Sequence, residues 1–104
     1  MQTTTFRAYE LAVQFYRESR SCRLPSHLRN QFDRASSSVV LNLGEGWGRA
    51  SRKDRHRFFF YALGSVRECQ AILRLEQESF TLPQHSLLDH VAATIYRLMQ
   101  SSGP

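Results

Sequence analysis

Asn42-Leu43-Gly44-Glu45-Gly46-Trp47-Gly48-Arg49-Ala50-Ser51 carries three alternating glycines, one carboxylate, one arginine and the only tryptophan, between two long segments of helical periodicity. Peptide N–H groups freed of side chains can cradle a phosphate at a helix start, so a nucleotide loop is the first function to test. The spacing excludes it. The glycines alternate every second residue, no β-branched strand precedes them and no Lys-Ser or Lys-Thr follows, so neither the dinucleotide fingerprint nor the Walker loop is matched. The segment reads instead as a joint between helices. Gly46 and Gly48 are expected to end one helix by adopting left-handed backbone conformations, and Ser51-x-x-Asp54 to open the next as a capping-box variant. Asn42 and Glu45 should lock the helix end, with Glu45 partly buried and held by Arg49 one turn on or by Asn42.

Outward from this joint the chain is helical. Ala8, Leu11, Ala12 and Phe15 recur at helical spacing, with Tyr9, Val13 and Tyr16 as an adjoining stripe, and predict a first helix over about 6–22. Thr4 or Thr5 can cap its start, and Arg17, Arg20 and Arg23 complement the dipole at its end. A second helix, about 26–46, carries Leu28, Phe32, Ala35, Val39 and Leu43 on one stripe, with Val40 beside it. Its middle, Ala35-Ser36-Ser37-Ser38, is small enough to admit another backbone. The third helix, about 52–78, offers Ala62, Gly64 and Ser65 across from it, and Gly64 is expected to be a helix contact; Val66, Cys69, Ile72, Leu73 and Leu75 continue the core. Thr81-x-x-Gln84 is a capping box for a last helix, about 83–100, with Leu88, Val91, Ala92, Ile95, Leu98 and Met99 on its apolar face. Four helices, short links and no strand alternation predict an all-α, antiparallel up-down-up-down four-helix bundle in one domain, 1–104.

Composition narrows the function. With 104 residues the chain can bury a core, though a partner subunit would help it. The absence of an 18-residue apolar run, and a start, Met-Gln-Thr-Thr-Thr, with neither a basic nor an apolar leader region, predict a soluble cytoplasmic protein with no membrane partner. Cys22 and Cys69 have no C-x-x-C spacing and read as reduced packing residues. The net charge is +5 and, of fourteen basic residues, only Lys53 is a lysine. Arginine suits planar recognition of phosphate or carboxylate, which fits RNA or an acidic protein partner; arginine-rich codon usage is the bland alternative.

Arg49, Arg52, Lys53, Arg55 and Arg57 face Asp54 alone in their window and crowd a helix start. Cations there oppose the macrodipole unless an anion or neighbouring carboxylates offset them, so a nucleic-acid backbone is the candidate ligand of this edge. Phe58, Phe59, Phe60 and Tyr61 turn through some 300° of a helical wheel and cannot all face one core stripe. With Trp47 they are expected to mark a subunit interface, base stacking being the other reading. Catalysis finds little support. His27, His56, His85 and His90 lack H-E-x-x-H or E-x-x-H spacing, so no metal or other cofactor is expected. Cys69 and Glu45 are the residues a small hydrolase would have to use.

These residues also carry a resemblance. The stretch 28–35, then Asn42-Leu43-Gly44-Glu45-Gly46, Arg49 and Ser51, and finally the aromatic run with Ala62-Leu63-Gly64-Ser65-x-x-Glu68, resemble the bacterial family of ribosomal-RNA intervening-sequence proteins over nearly the whole chain. Asn42, Glu45, Gly46, Arg49 and Ser51 are its motif positions. This chain departs at Gly44, where alanine is commoner, and at Arg55-His56, where one apolar residue is usual. The resemblance implies a four-helix bundle assembling as a ring, a homopentamer. Relatives are encoded within large-subunit rRNA genes, and a related branch comprises accessory proteins of diversity-generating retroelements, which bind a reverse transcriptase and nucleic acid. The leading expectation is a non-enzymatic, basic, oligomeric protein binding RNA or DNA through the Arg-rich edge. The alternative is a protein-interaction scaffold for a partner enzyme such as a reverse transcriptase.

Overall fold

The four periodic stretches form four helices in the computed structural model, which describes residues 3–102: α1 (Thr3–Glu18), α2 (Ser26–Trp47), α3 (Arg52–Leu75) and α4 (Leu82–Ser102). A single 3-10 turn, Gln77–Ser79, precedes α4. No strand occurs among the described residues. The helices stand at the corners of a square. Each packs on the helices before and after it in sequence and α4 returns to α1, while the diagonal pairs do not pack. The Cα radius of gyration, 13.4 Å, is that of one domain of this length, for which about 13 Å is typical.

The apolar stripes account for the square. Ala8, Leu11, Ala12 and Phe15 of α1 meet Leu28, Phe32, Ala35, Val39 and Leu43 of α2, Phe59, Ala62, Val66, Cys69, Ile72 and Leu73 of α3, and Leu88, Val91, Ala92, Ile95 and Leu98 of α4 in one buried cluster. Phe32 is its aromatic centre, fully buried, with its ring centroid 6.0 Å from that of Phe15 and 5.3 Å from that of Phe80. Burying such a side chain is worth about 1.5–3 kcal/mol. Leu75, expected in the core, is 68% exposed, because at about 100° per helical residue it turns away from the side of α3 that buries Val66, Cys69, Ile72 and Leu73.

Helix ends differ from the sequence reading where side chains compete for backbone groups. α1 is already helical at Thr3, so Thr4 and Thr5 lie inside it and cannot be its cap, which requires non-helical backbone. It stops at Glu18 rather than near 22. Arg20 Nε donates to the Tyr16 carbonyl at 2.8 Å, the acceptor that the Arg20 N–H would use in a further turn, and that N–H reaches the Arg17 carbonyl instead, at 3.4 Å. α3 ends at Leu75, and the 3-10 turn then delivers Phe80 to the core. Thr81 and Gln84 form a reciprocal capping box, Thr81 N–H donating to Gln84 Oε1 at 2.8 Å and Gln84 N–H to Thr81 Oγ1 at 3.2 Å.

The α1–α2 link is held by a charge network. Arg20 Nη1 and Arg29 Nη2 lie 2.7 and 2.6 Å from the same Asp33 carboxylate oxygen. Arg20 also donates to Ser36 Oγ at 2.7 Å and stacks on Tyr16, 3.7 Å from the ring centre, while Arg29 donates to the Cys22 carbonyl at 2.8 Å. The hydrogen bond from Arg29 leads in holding the Asp33 carboxyl below its ordinary range, with burial opposing and Arg20 assisting.

Glycine does different work at the α2–α3 joint from that expected. No described glycine has positive φ; Gly48 caps α2 at φ −79°, ψ −5°, with its N–H shared between the carbonyls of Glu45 and Gly44. Gly46 is needed for space. A β-carbon there would lie 2.8 Å from Phe59 Cε1 and 3.1 Å from Phe58 Cβ. Gly64, read as a helix contact, faces open space, with nothing within 4 Å of where its β-carbon would be. The small residues that do meet across α2 and α3 are Ser38 and Ser65, whose hydroxyls are 2.9 Å apart.

Two outcomes follow. Gly46→Ala should destabilise the fold by about 1–3 kcal/mol, because the Phe59 ring is locked in the core, whereas Gly44→Ala, whose β-carbon would meet Tyr9 at an ordinary 3.6 Å, should stabilise it by about 0.5–1 kcal/mol. Urea unfolding of both variants reads the opposite signs. Asp33→Asn should cost about 1 kcal/mol at neutral pH, held to that size by a side chain still 41% exposed. Since the folded-state pKa is depressed, this stabilisation is present above the unfolded value near pH 4 and lost as pH falls through the lower folded value. Thermal melts from neutral pH downward should therefore show wild type and variant converging in acid.

Candidate nucleic-acid interface

The joint places the basic cluster at one end of the square, around the first turn of α3. Ser51, in extended conformation, caps that helix by accepting from Asp54 N–H at 3.1 Å. Nearby carboxylates engage part of the cluster. Arg49 pairs with Glu45 at 3.0 Å, and Arg57 reaches Asp54 at 3.4 Å. Both guanidinium groups also lie over the ring of Phe58, 4.7 and 5.0 Å from its centre. Glu45, expected to be partly buried, is exposed at 59%, because its turn of α2 directs Gly46 and not Glu45 at α3. Asn42 does not bond Glu45 either; its amide turns back to the Ser38 carbonyl at 2.9 Å and hydroxyl at 3.0 Å.

The other cations are held differently. Arg55 Nη1 donates to the carbonyls of Arg49 and Ala50, at 3.1 and 2.8 Å, and so fixes the link between α2 and α3. Carbonyls accept its hydrogen bonds without neutralising it. Arg52 Nη2 donates to the Ser101 carbonyl at 3.3 Å, where positive charge meets the negative end of α4. Lys53 is exposed and makes no hydrogen bond or ion pair among the described residues. Glu45 and Asp54 thus pair with two of these cations, and Lys53 and Arg55 have no carboxylate partner among the described residues.

The aromatic run divides as the helical wheel requires. Phe59 points inward and is 1% exposed, so it belongs to the protomer's own core and is unavailable to a neighbouring subunit. Phe58 is half-buried beneath Arg49 and Arg57, whereas Phe60 and Tyr61 are exposed at 60% and 47%. Trp47 is half-buried against α1, with its ring centroid 5.9 Å from that of Phe6 and 6.1 Å from that of Tyr9. The role of Phe58 as a platform for two guanidinium groups was not visible in sequence. Arg49 and Phe58 are nine residues apart across a joint, and no helical period links them.

Metal chemistry has no assembled ligand set here: among the described residues no three of the histidines, cysteines and carboxylates come together as a metal site. His85 and Asp89 turn to different partners, Gln77 and Gln70. No described helix is long and apolar enough to cross a membrane.

Comparison with known proteins bears out the family resemblance read from the sequence. The family model described as 23S rRNA-intervening sequence protein matches residues 4–100, which takes in all four helices and the whole 42–51 segment. No curated protein and no solved structure matches the chain. The match spans nearly the full length, and the chain belongs to the 23S rRNA-intervening sequence protein family.

Proposed function

We propose that this protein is a non-enzymatic, basic, cytoplasmic homo-oligomer that binds the phosphate backbone of RNA, or of another nucleic acid, through the edge formed by Arg49, Arg52, Lys53, Arg55 and Arg57. The observation that carries the reading is the charge imbalance at that edge: Glu45 and Asp54 engage Arg49 and Arg57, and Lys53 and Arg55 have no carboxylate partner among the described residues. Exposed cations on a rigid helix start attract phosphate without reading sequence. The protomer is an antiparallel up-down-up-down bundle, supported by the meeting of the start of α3 with the end of α4, through Arg52 and Ser101, and of the start of α4 with the end of α1, through Gln84 and Glu18. Exposed Phe60 and Tyr61 support assembly of protomers, and a pentameric ring is the form proposed.

The state of Cys69 supports a non-enzymatic role. Its side chain is fully buried, and desolvation, with Glu68 adding to it, pushes the thiol up to about 12, far from a nucleophile at neutral pH. The second reading, a scaffold for a partner enzyme such as a reverse transcriptase, is favoured by one observation. Two of the five cations, Arg49 and Arg57, are already ion-paired, leaving a smaller anion-binding surface than the residue count implies.

Affinity for structured RNA should fall steeply with salt, and the combined variant Arg52→Glu with Lys53→Glu should lower the slope of log K against log salt by about 1.5. Filter binding across a salt series measures this; no binding at low salt would sink the proposal, and retention of a partner enzyme after nuclease treatment would favour the scaffold. A thiol reagent should modify Cys22 in the native protein and reach Cys69 only after denaturation. Rapid native labelling of Cys69 would remove the argument that it is inert.

A further inference from the structure

Charge is unevenly placed along the bundle. The starts of α1 and α3 lie beside the ends of α2 and α4: Phe6 meets Trp47 edge-on, with ring centroids 5.9 Å apart, and Arg52 reaches the Ser101 carbonyl at 3.3 Å. Two further arginines stand at this end. Arg7 follows Phe6 on α1 and Arg97 precedes Ser101 by one turn of α4; both are exposed, and neither has an ion pair among the described residues. With Arg49, Arg52, Lys53, Arg55 and Arg57 they make seven of the fourteen basic residues, against two of the nine acids, Glu45 and Asp54. The rest of the chain holds seven of each, so the whole formal charge of +5 belongs to one end. Glu10, one turn beyond Arg7, is the next acid along α1, and α4 carries none after Asp89.

These cations are spread over a surface and not strung along a line. They come from α1, α3, α4 and the α2–α3 joint, and the bundle measures 40 × 23 × 19 Å with its helices along the long axis, so the end that bears them spans 23 by 19 Å. A single strand offers one line of phosphates and gains affinity by stacking bases on free aromatic rings, whereas a duplex offers phosphates of two strands on either side of a groove. The rings at this end are engaged: Phe58 lies under Arg49 and Arg57, and Trp47 packs on Phe6 and Tyr9. The exposed Phe60 and Tyr61 lie about 12 Å along α3 from Arg52, on the flank of the bundle. We propose that the ligand of this end is a double-stranded nucleic acid, held by phosphates of both strands, with Arg7 and Arg97 as the outer contacts. This rests on the phosphate-binding reading above, and adds to it the form of the nucleic acid and two residues.

Fluorescence anisotropy across a salt series tests it, with a short RNA duplex and an unpaired RNA strand of equal length as probes. Arg7→Gln combined with Arg97→Gln should lower the slope of log K against log salt on the duplex by about 1.8, as the loss of two phosphate contacts requires. Arg23→Gln combined with Arg74→Gln removes the same charge from exposed arginines outside this end and should leave that slope unchanged. Circular dichroism verifies that both variants keep their helices. At equal salt the duplex should bind about tenfold more tightly than the strand. An equal effect of the two pairs, or a strand bound as tightly as the duplex, would overturn this assignment and leave phosphate binding standing. A wild type that binds neither probe at low salt would overturn both.

Discussion

The approach of Gly46 to the ring of Phe59 sets the geometry from which the rest of this molecule follows. At Gly46 a β-carbon would collide with Phe59, so the end of α2 can lie directly on the aromatic side of α3 only because that position is glycine. Fixing Phe59 inward then fixes its neighbours, since each helical residue turns by about 100°. Phe58 becomes a half-buried shelf, and Phe60 and Tyr61 are left facing outward. A packing constraint on one residue thereby distributes three others among electrostatic and exposed roles.

The same joint decides how the basic cluster is used. Arg49 leaves the last turn of α2 and Arg57 sits in the second turn of α3, yet both guanidinium groups converge on Phe58. Their carboxylate partners come from either side of the joint, Glu45 from α2 and Asp54 from α3. Arg55 spends its hydrogen bonds on the connecting backbone, which makes it a brace as well as a charge. The edge is therefore partly a structural device, and its capacity for phosphate lies in charge that no carboxylate balances.

At the other end of α2 a different physics holds the chain. Asp33 gathers Arg20 and Arg29 and ties the α1–α2 link to the helix, with Tyr16 beneath one guanidinium. This network depends on ionisation and weakens in acid, whereas the Gly46–Phe59 contact depends on shape and has no such dependence. The Asp33 network and the candidate interface thus lie toward opposite ends of α2.

Periodicity alone made the four helices, their apolar stripes and the Ser51 and Thr81 caps legible, because those depend on neighbours within a few residues. The family was legible as a resemblance, carried by Asn42, Glu45, Gly46, Arg49 and Ser51, and the family match over residues 4–100 bears it out. Contacts between distant parts of the chain were not. Sequence identified Gly46 and Gly64 as unusual but assigned backbone freedom to the first and helix contact to the second; only packing shows that the first makes the close approach and the second faces outward. The wheel required one of four aromatics to leave the core without saying which would enter it. Glu45 looked like the partly buried acid and is exposed, while the acid that two arginines share is Asp33. Helical period fixes the relative directions of side chains on one helix, but the absolute orientation of that helix is decided by what the neighbouring helix can accommodate.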